Sequence, residues 1–233
     1  SIIYNSICVT DFDFQLEKRL NNGNYLIMSS EGIYFYNELF NMKQTIVKFG
    51  SRLAGSQNDM NSADIAQFLS EDGGYIICLI TDKVFIVSKS GEYRYNFTLD
   101  YIRDNHGYQI IPYKKDENNH HYFAILTSEQ DSEKRIDIRT YIYDSNANNI
   151  EFGGYYNYTL SNNIEKYIAC ELMKYGNEKA IFCFFGEWGI LQYVVFETET
   201  FEPIANRSGD ISLANINGGQ FFISSVNSTK RES

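Results

Sequence analysis

Proline is nearly missing from this chain, with two in 233 residues, and tryptophan occurs once. So little proline leaves long stretches free to donate every backbone N–H to a sheet ladder, and it excludes a collagenous or polyproline chain. Positive charge is also short: 20 Lys and Arg against 30 Asp and Glu give a net charge of −10 and a pI near 4.8. A surface of that sign repels phosphate backbones and anionic lipid, so nucleic acid and membrane surfaces are not expected partners. The longest apolar runs, Tyr75–Ile80 and Ala180–Phe185, fall far short of the roughly 20 residues of a helical membrane span. No basic and then apolar leader opens the chain, which begins at Ser1. The expectation is a processed form or a fragment of a longer protein, its 233 residues reading as a single repeat domain.

Chemistry-bearing motifs are missing too. The cysteines at 8, 78, 170 and 183 contain no C-x-x-C and no Cys/His spacing that closes a zinc site. Neither G-x-S-x-G, H-E-x-x-H nor a phosphate-cradling glycine loop occurs. No cofactor, metal or catalytic residue is therefore nominated, and the chain reads as non-enzymatic. Carboxylates are plentiful, as at Asp11-Phe12-Asp13 and from Asp100 to Asp104, without the spacing of a calcium loop. A glycosidase needs two of them some 5–9.5 Å apart, a distance no sequence supplies. A sialidase-like site would need converging arginines, and among Arg52, Arg94, Arg103, Arg135 and Arg139 no spacing selects three. Of the histidines at 106, 120 and 121, the adjacent pair follows a polar Lys114–Asn119 segment and reads as a solvated loop. Extended neighbours point opposite ways and do not chelate one ion.

What is present is a period of two. Tyr25–Met28, Ile33–Tyr36, Tyr75–Ile80, Val84–Val87, Tyr122–Leu126, Ile136–Tyr143, Ile181–Phe185 and Leu191–Phe196 are aromatic and β-branched runs separated by turn formers. Helical periodicity amounts to single turns at Asp64–Leu69 and Ile164–Tyr167. The chain is read as all-β.

One hairpin can be set in register. Centring a turn on Gly176-Asn177 places Cys170 opposite Cys183, Ile168 opposite Phe185 and Leu172 opposite Ile181, all on one face. A two-residue loop puts the cysteines on a non-hydrogen-bonded pair, where strands approach most closely, and the expectation is a Cys170–Cys183 disulfide. Cys8 and Cys78 are buried thiols or a second pair. N-x-[ST] acceptors stand at Asn96, Asn157, Asn206 and Asn227. With 23 Asn and 30 Ser plus Thr, composition alone supplies about three such triplets, so position carries more than number. Asn157 reads as a loop residue after Gly153-Gly154, Asn206 and Asn227 as turn-like, and Asn96 as part of an edge strand. Sequons and a disulfide-ready hairpin together point to a secreted or cell-surface protein.

A unit recurs: a small turn, an aromatic-aliphatic strand, a tight turn and a second apolar strand. Its first strand starts near Tyr25, Tyr75, Tyr122, Ile181 and Phe221, at intervals of 40–59 residues. The first and last copies, Asn22–Ser30 and Gly218–Ser225, match best. This order of units resembles a β-propeller, an array of about four to five antiparallel blades covering most of the chain. Ser70-Glu71-Asp72-Gly73-Gly74 resembles the core of an Asp-box turn, without the aromatic that follows it. A pair of β-sandwiches is the alternative fold. The Asn-, Tyr- and Phe-rich composition is similar to that of extracellular surface proteins.

The resulting expectation is a non-enzymatic extracellular structural or adhesive glycoprotein module, a subunit of a surface fibre or coat. Its partners would be other copies of itself or extracellular proteins, with covalent N-glycans. The loop aromatics Tyr155, Tyr156 and Tyr158 are candidate partner or sugar contacts. The alternatives are a carbohydrate-active enzyme or lectin on a propeller scaffold, and an intracellular protein-interaction propeller.

Overall fold

The computed structural model describes residues 15–20, 22–29, 32–41, 43–48, 63–67, 75–80, 83–88, 90–99, 108–128, 135–159, 167–175, 178–187 and 190–212. Among them lie sixteen strands and no helix. They form four sheets of four strands, each an antiparallel meander in chain order. The first sheet is β1 (Gln15–Arg19), β2 (Tyr25–Ser29), β3 (Gly32–Tyr36) and β4 (Lys43–Lys48). The second is β5 (Ala63–Gln67), β6 (Tyr75–Ile80), β7 (Lys83–Ser88) and β8 (Tyr93–Thr98). The third is β9 (Tyr108–Lys115), β10 (His120–Ser128), β11 (Arg135–Asp144) and β12 (Asn149–Thr159). The fourth is β13 (Tyr167–Tyr175), β14 (Glu178–Glu187), β15 (Ile190–Glu197) and β16 (Pro203–Ser212).

The chain divides into two compact units, one holding the first two sheets and the other the last two. In the first, Leu26, Met28, Ile33 and Phe35 pack with Ile65, Ile76, Cys78, Phe85 and Val87. In the second, Ile111, Ala124, Leu126, Ile136 and Ile138 pack with Cys170, Ile181, Cys183, Val194 and Phe196. Within each unit the first strands of the two sheets run close together, β1 by β5 and β9 by β13. Each core thus lies between two neighbouring sheets, filled mainly by alternate residues of their inner strands.

The expected hairpin holds its register: Cys170 faces Cys183, Ile168 faces Phe185 and Leu172 faces Ile181. The expected repeat is present but shifted by one strand. Tyr25, Tyr75, Tyr122 and Ile181 begin or lie in β2, β6, β10 and β14, the second strands of their sheets. Middle strands are buried on both faces and read as continuous apolar runs, as in the fully buried β3. The first strand β1, Gln-Leu-Glu-Lys-Arg, carries too little apolar contrast to be seen, whereas β13 shows through its one-faced apolar pattern. Of the turn expected at Asp64–Leu69, the described part is strand β5, which pairs with β6 and turns Ile65 into the core of the first unit; Phe68 and Leu69 lie outside the described residues. Phe221, the Gly218–Ser225 copy and the Asp-box-like Ser70–Gly74 lie outside the described residues.

Fourth strands share two features. They are the exposed edge of each sheet, as the patterns of β4, β8 and β12 show. Each also shifts register against its third strand, at Ile33/Tyr34, Ile86/Val87, Thr140/Tyr141 and Val194/Phe196. A bulge bends and twists an edge, which blunts pairing with a foreign strand. In β12 the extra residue is Gly153, where a Cβ would stand 2.8 Å from Thr140 Oγ1.

Two phenylalanines pin hairpins in left-handed backbone. Phe201, between β15 and β16, has φ 54°, is 5% exposed, and sets its ring 5.2 Å from both Tyr113 and Tyr156 of the third sheet. Phe40, between β3 and β4, has φ 55° and lies 4.4 Å from Tyr25 and 5.8 Å from Tyr36.

Candidate functional site

Because each sheet is a meander, the β9–β10 and β11–β12 hairpins emerge side by side at one end of the third sheet. Asp116 organises the first. Its Oδ1 accepts from the backbone N–H of Asn118 at 2.9 Å and of His120 at 3.0 Å. Its Oδ2 accepts from the Tyr122 hydroxyl at 3.1 Å and lies 2.9 Å from His120 Nδ1. Asp144 does the same in the second hairpin, taking the N–H groups of Asn146 and Ala147 at 2.8 and 3.0 Å. Both turns pass through left-handed backbone at Asn119 (φ 64°) and Asn148 (φ 53°), a conformation asparagine tolerates better than most residues.

The hairpins are also tied to each other. Ser145 donates both its N–H and its hydroxyl to the Asn119 carbonyl, and Asn146 Nδ2 donates to the Asn118 carbonyl at 3.0 Å. His120 stands between them, its Nε2 3.7 Å from Asp144 Oδ2. Desolvation opposes the Asp116 charge, yet the His120 N–H and ring, the Tyr122 hydroxyl and the Asn118 N–H outweigh it and hold its pKa at about 2. The Ala147 and Asn146 N–H groups and the nearby His120 likewise lower Asp144. The two carboxylates approach different nitrogens of one imidazole, so they do not converge on a common ion position. Among the described residues no group of three His, Cys, Asp or Glu is arranged to hold a metal.

The histidine pair corrects the expectation of a solvated loop. His120 opens β10 half-buried, and His121 is 3% exposed, near the ring of Tyr143. Burial, with Lys115 nearby, pushes the His121 pKa down to about 4. The two rings point to opposite faces, as their neighbouring positions on a strand require.

A second cluster lies on one face of β11 and β12. Asp137 is opposite Asn157, Arg139 opposite Tyr155, and Tyr141 opposite Phe152. The Tyr155 hydroxyl donates to Asp137 Oδ1 at 2.6 Å, and Arg139 lies over its ring at 5.3 Å. Arg135 pairs with Asp137 at 2.9 Å. Burial, and then the bond to Asp137, raise the Tyr155 pKa. Tyr155 is 45% and Phe152 62% exposed, while Asp137 is buried.

The expected tyrosine contact set therefore divides. Tyr155 faces outward, whereas Tyr156 and Tyr158 turn the other way and pack on Phe201 and Phe196. Strand β12 takes Gly153 to Thr159 out of the loop class, because its ladder to β11 runs through Asn157 to Thr159. Asn157 is thus an exposed residue of an outer strand. Asn96 is exposed on β8, as expected for an edge, and its side-chain amide meets the Tyr93 hydroxyl. Asn206 lies on outer strand β16 rather than in a turn, held there by the ladder to β15 that reaches both sides of it. Asn227 and Cys8 lie outside the described residues, as do His106, Asp11, Asp13, Asp100 and Asp104.

Cys170 and Cys183 meet across β13 and β14 as foreseen, but they are buried thiols with no disulfide between them in this structure, and Cys78 is likewise a buried thiol. Two small apolar side chains fill the space between the third and fourth sheets there. Burial, and then the charge of Asp64, push the Cys78 thiol far above its ordinary pKa. Of the candidate arginines, Arg94 pairs with Glu92 at 2.6 Å, and Arg135 and Arg139 belong to the Tyr155 cluster.

The Asp116–His120–Asp144 arrangement was missed from sequence. Its trace is an Asp four residues before a strand-opening residue and an Asn before that residue, the marks of an Asx-turn hairpin. The pairing of two such hairpins is a product of topology.

No family model matches the chain, and no curated protein matches it. Solved structures do. The chain is similar to the WD40 domain of SCAP from fission yeast, at 11% identity and a TM-score of 0.50, over 81% of this chain and 42% of that one. It is likewise similar to a structure of the fission yeast SREBP–SCAP binding domains, at 13% identity and a TM-score of 0.52, over 83% of this chain and 48% of that one. The chain spans less than half the length of either. The likeness shows the fold: these four-stranded meanders are β-propeller-like, which decides against the sandwich pair.

Proposed function

We propose that the chain is a non-enzymatic protein-interaction module on a propeller-like scaffold, serving as a structural or adhesive part of a secreted or cell-surface glycoprotein. The observation that carries the interaction role is the locked hairpin pair of the third sheet. Those loops fill no core, yet Asp116, His120, Asp144, Ser145 and Asn146 fix them through a continuous hydrogen-bonded network. A surface ordered beforehand binds with less loss of freedom. Its two carboxylates, on a chain of net charge −10, favour a basic partner segment.

Bulged fourth strands argue against edge-to-edge growth of a fibre, so partners meet hairpins rather than strand edges. One of the similar structures is itself a complex of binding domains, which accords with a protein partner. Exposed sequons at Asn96 and Asn157 support the secretory placement. The absence of a disulfide at the buried Cys78, Cys170 and Cys183 favours a second reading, an intracellular interaction propeller.

Intact mass of the protein from its natural source, before and after deglycosylation and thiol alkylation, separates the two. Sugar together with a Cys170–Cys183 bridge supports secretion; unmodified asparagines and fully alkylatable cysteines overturn it. For the interaction role, cross-linked partner recovery should fall at least tenfold in Asp144→Ala/Asn146→Ala, and unchanged recovery from a folded variant would refute the hairpin surface.

A further inference from the structure

The Tyr155 clamp has geometry that partner docking does not need. Tyr155 and Asn157 share a face of β12, two residues apart, so their Cβ atoms stand about 7 Å from each other. The residues opposite them on β11 are Arg139 and Asp137 respectively. Because the Tyr155 hydroxyl is bound to Asp137, the ring runs diagonally across this four-residue square. Arg139 covers it from one corner, and Asn157 occupies the other. The ring is fixed at both ends before anything rests on it, and it remains 45% exposed.

The same relation recurs on β8 by a different route. Asn96 is opposite Phe85 and Tyr93 opposite Val87, with Arg94 as the bulged residue between. The bulge returns Tyr93 to the face of Asn96, where the two side chains touch. Tyr93 is also 45% exposed. Both asparagines head an N-x-Thr triplet, Asn96-Phe97-Thr98 and Asn157-Tyr158-Thr159.

From this recurrence we infer that Asn157 is an N-glycosylation site whose first N-acetylglucosamine lies on the clamped ring of Tyr155, with Asn96 and Tyr93 forming a second such pair. The inference rests on the secretory placement proposed above. In the transfer, the Asn157 amide nitrogen bonds to the anomeric carbon of a polyprenyl-diphosphate-linked oligosaccharide. The amide loses one proton, and the lipid diphosphate leaves with the electron pair of the broken C–O bond. The reaction precedes folding; closure of β12 onto β11 then brings the sugar's C–H face against the ring, an apolar contact that removes both surfaces from water. The glycan becomes part of the fold rather than a passive coat.

The test uses the chain secreted from a eukaryotic host, with Asn157 occupancy read by glycopeptide mass. The glycan is trimmed to one N-acetylglucosamine, and the melting temperature is compared with that of Asn157→Gln in wild-type and Tyr155→Ala backgrounds. The sugar should raise the wild-type value by about 2–4 °C and the Tyr155→Ala value by less than a quarter of that. Sugar ring protons should shift upfield only when the tyrosine is present. An unoccupied Asn157 overturns the site, and an equal increment in both backgrounds overturns the platform. If the natural protein carries no sugar while the host-made protein shows the stacking, secretion fails and the platform stands.

Discussion

Phe201 offers a sharp test of how the fourth sheet is joined to the third. Its ring is buried against Tyr113 and Tyr156, while its backbone sits at φ 54°, where a side chain costs about 1–2 kcal/mol. Replacing it with alanine removes the ring, a loss of about 3–5 kcal/mol, and keeps the backbone cost. Glycine loses the same ring but escapes that cost. Its greater unfolded freedom takes back about 0.5–1 kcal/mol. Phe201→Gly should therefore be the more stable variant by up to about 1.5 kcal/mol, the reverse of the usual order in a sheet. Urea unfolding reads this directly as a shift in midpoint at unchanged slope. A double-mutant cycle with Tyr113→Leu should show about 0.5–1.5 kcal/mol of coupling for the edge-on ring pair. Alanine more stable than glycine, together with no coupling to Tyr113, would refute both the left-handed turn and the inter-sheet pin.

Other expectations follow from the same structure. His121 has a folded pKa of about 4 against an ordinary 6.5, so the unfolded chain binds more protons between those values. The neutral ring's contribution is complete above pH 6.5 and is lost as pH falls toward 4, by about 3 kcal/mol in all; His121→Phe should flatten that part of a pH–stability curve. Asp116 is shifted the other way, to about 2, so its contribution is present above pH 3.8 and fades as pH drops through 2. Acid unfolding of Asp116→Asn should show a shallower pH dependence in that window. Cys78, its thiolate disfavoured by burial, should resist iodoacetamide until the protein unfolds, and rapid native labelling would contradict its place in the core. Gly153→Ala should cost about 1–3 kcal/mol through the clash with Thr140, and Thr140→Ser in the same chain should leave that cost largely in place because the offending oxygen remains.

Legibility from sequence followed burial. The middle strands were plain because residues such as Ile76, Ile77, Val84 and Ile86 are fully buried and their runs tolerate no polar interruption. The Cys170–Cys183 register was readable because a tight turn and a one-faced apolar pattern fix it together. The first strand of the first sheet was opaque: Gln15–Arg19 has a single aliphatic residue, and only pairing with β2 makes it a strand. Outer strands were misjudged where glycine and asparagine mimic a loop, as at Gly153–Asn157, since a bulge needs the residues a turn needs. The Asp116–His120–Asp144 site depends on two hairpins separated by a whole strand pair, and no local pattern announces that they are neighbours.

Consecutive four-stranded meanders make the fold propeller-like, and nuclear Overhauser contacts between Hα protons read that strand order, because only non-hydrogen-bonded partners bring these protons so close. Strong contacts are expected for Cys170 with Cys183 and for Leu172 with Ile181, with β13 next to β9. Contacts joining β13 to β16 as hydrogen-bonded neighbours, or a β14 that pairs with a strand of another sheet, would contradict that order.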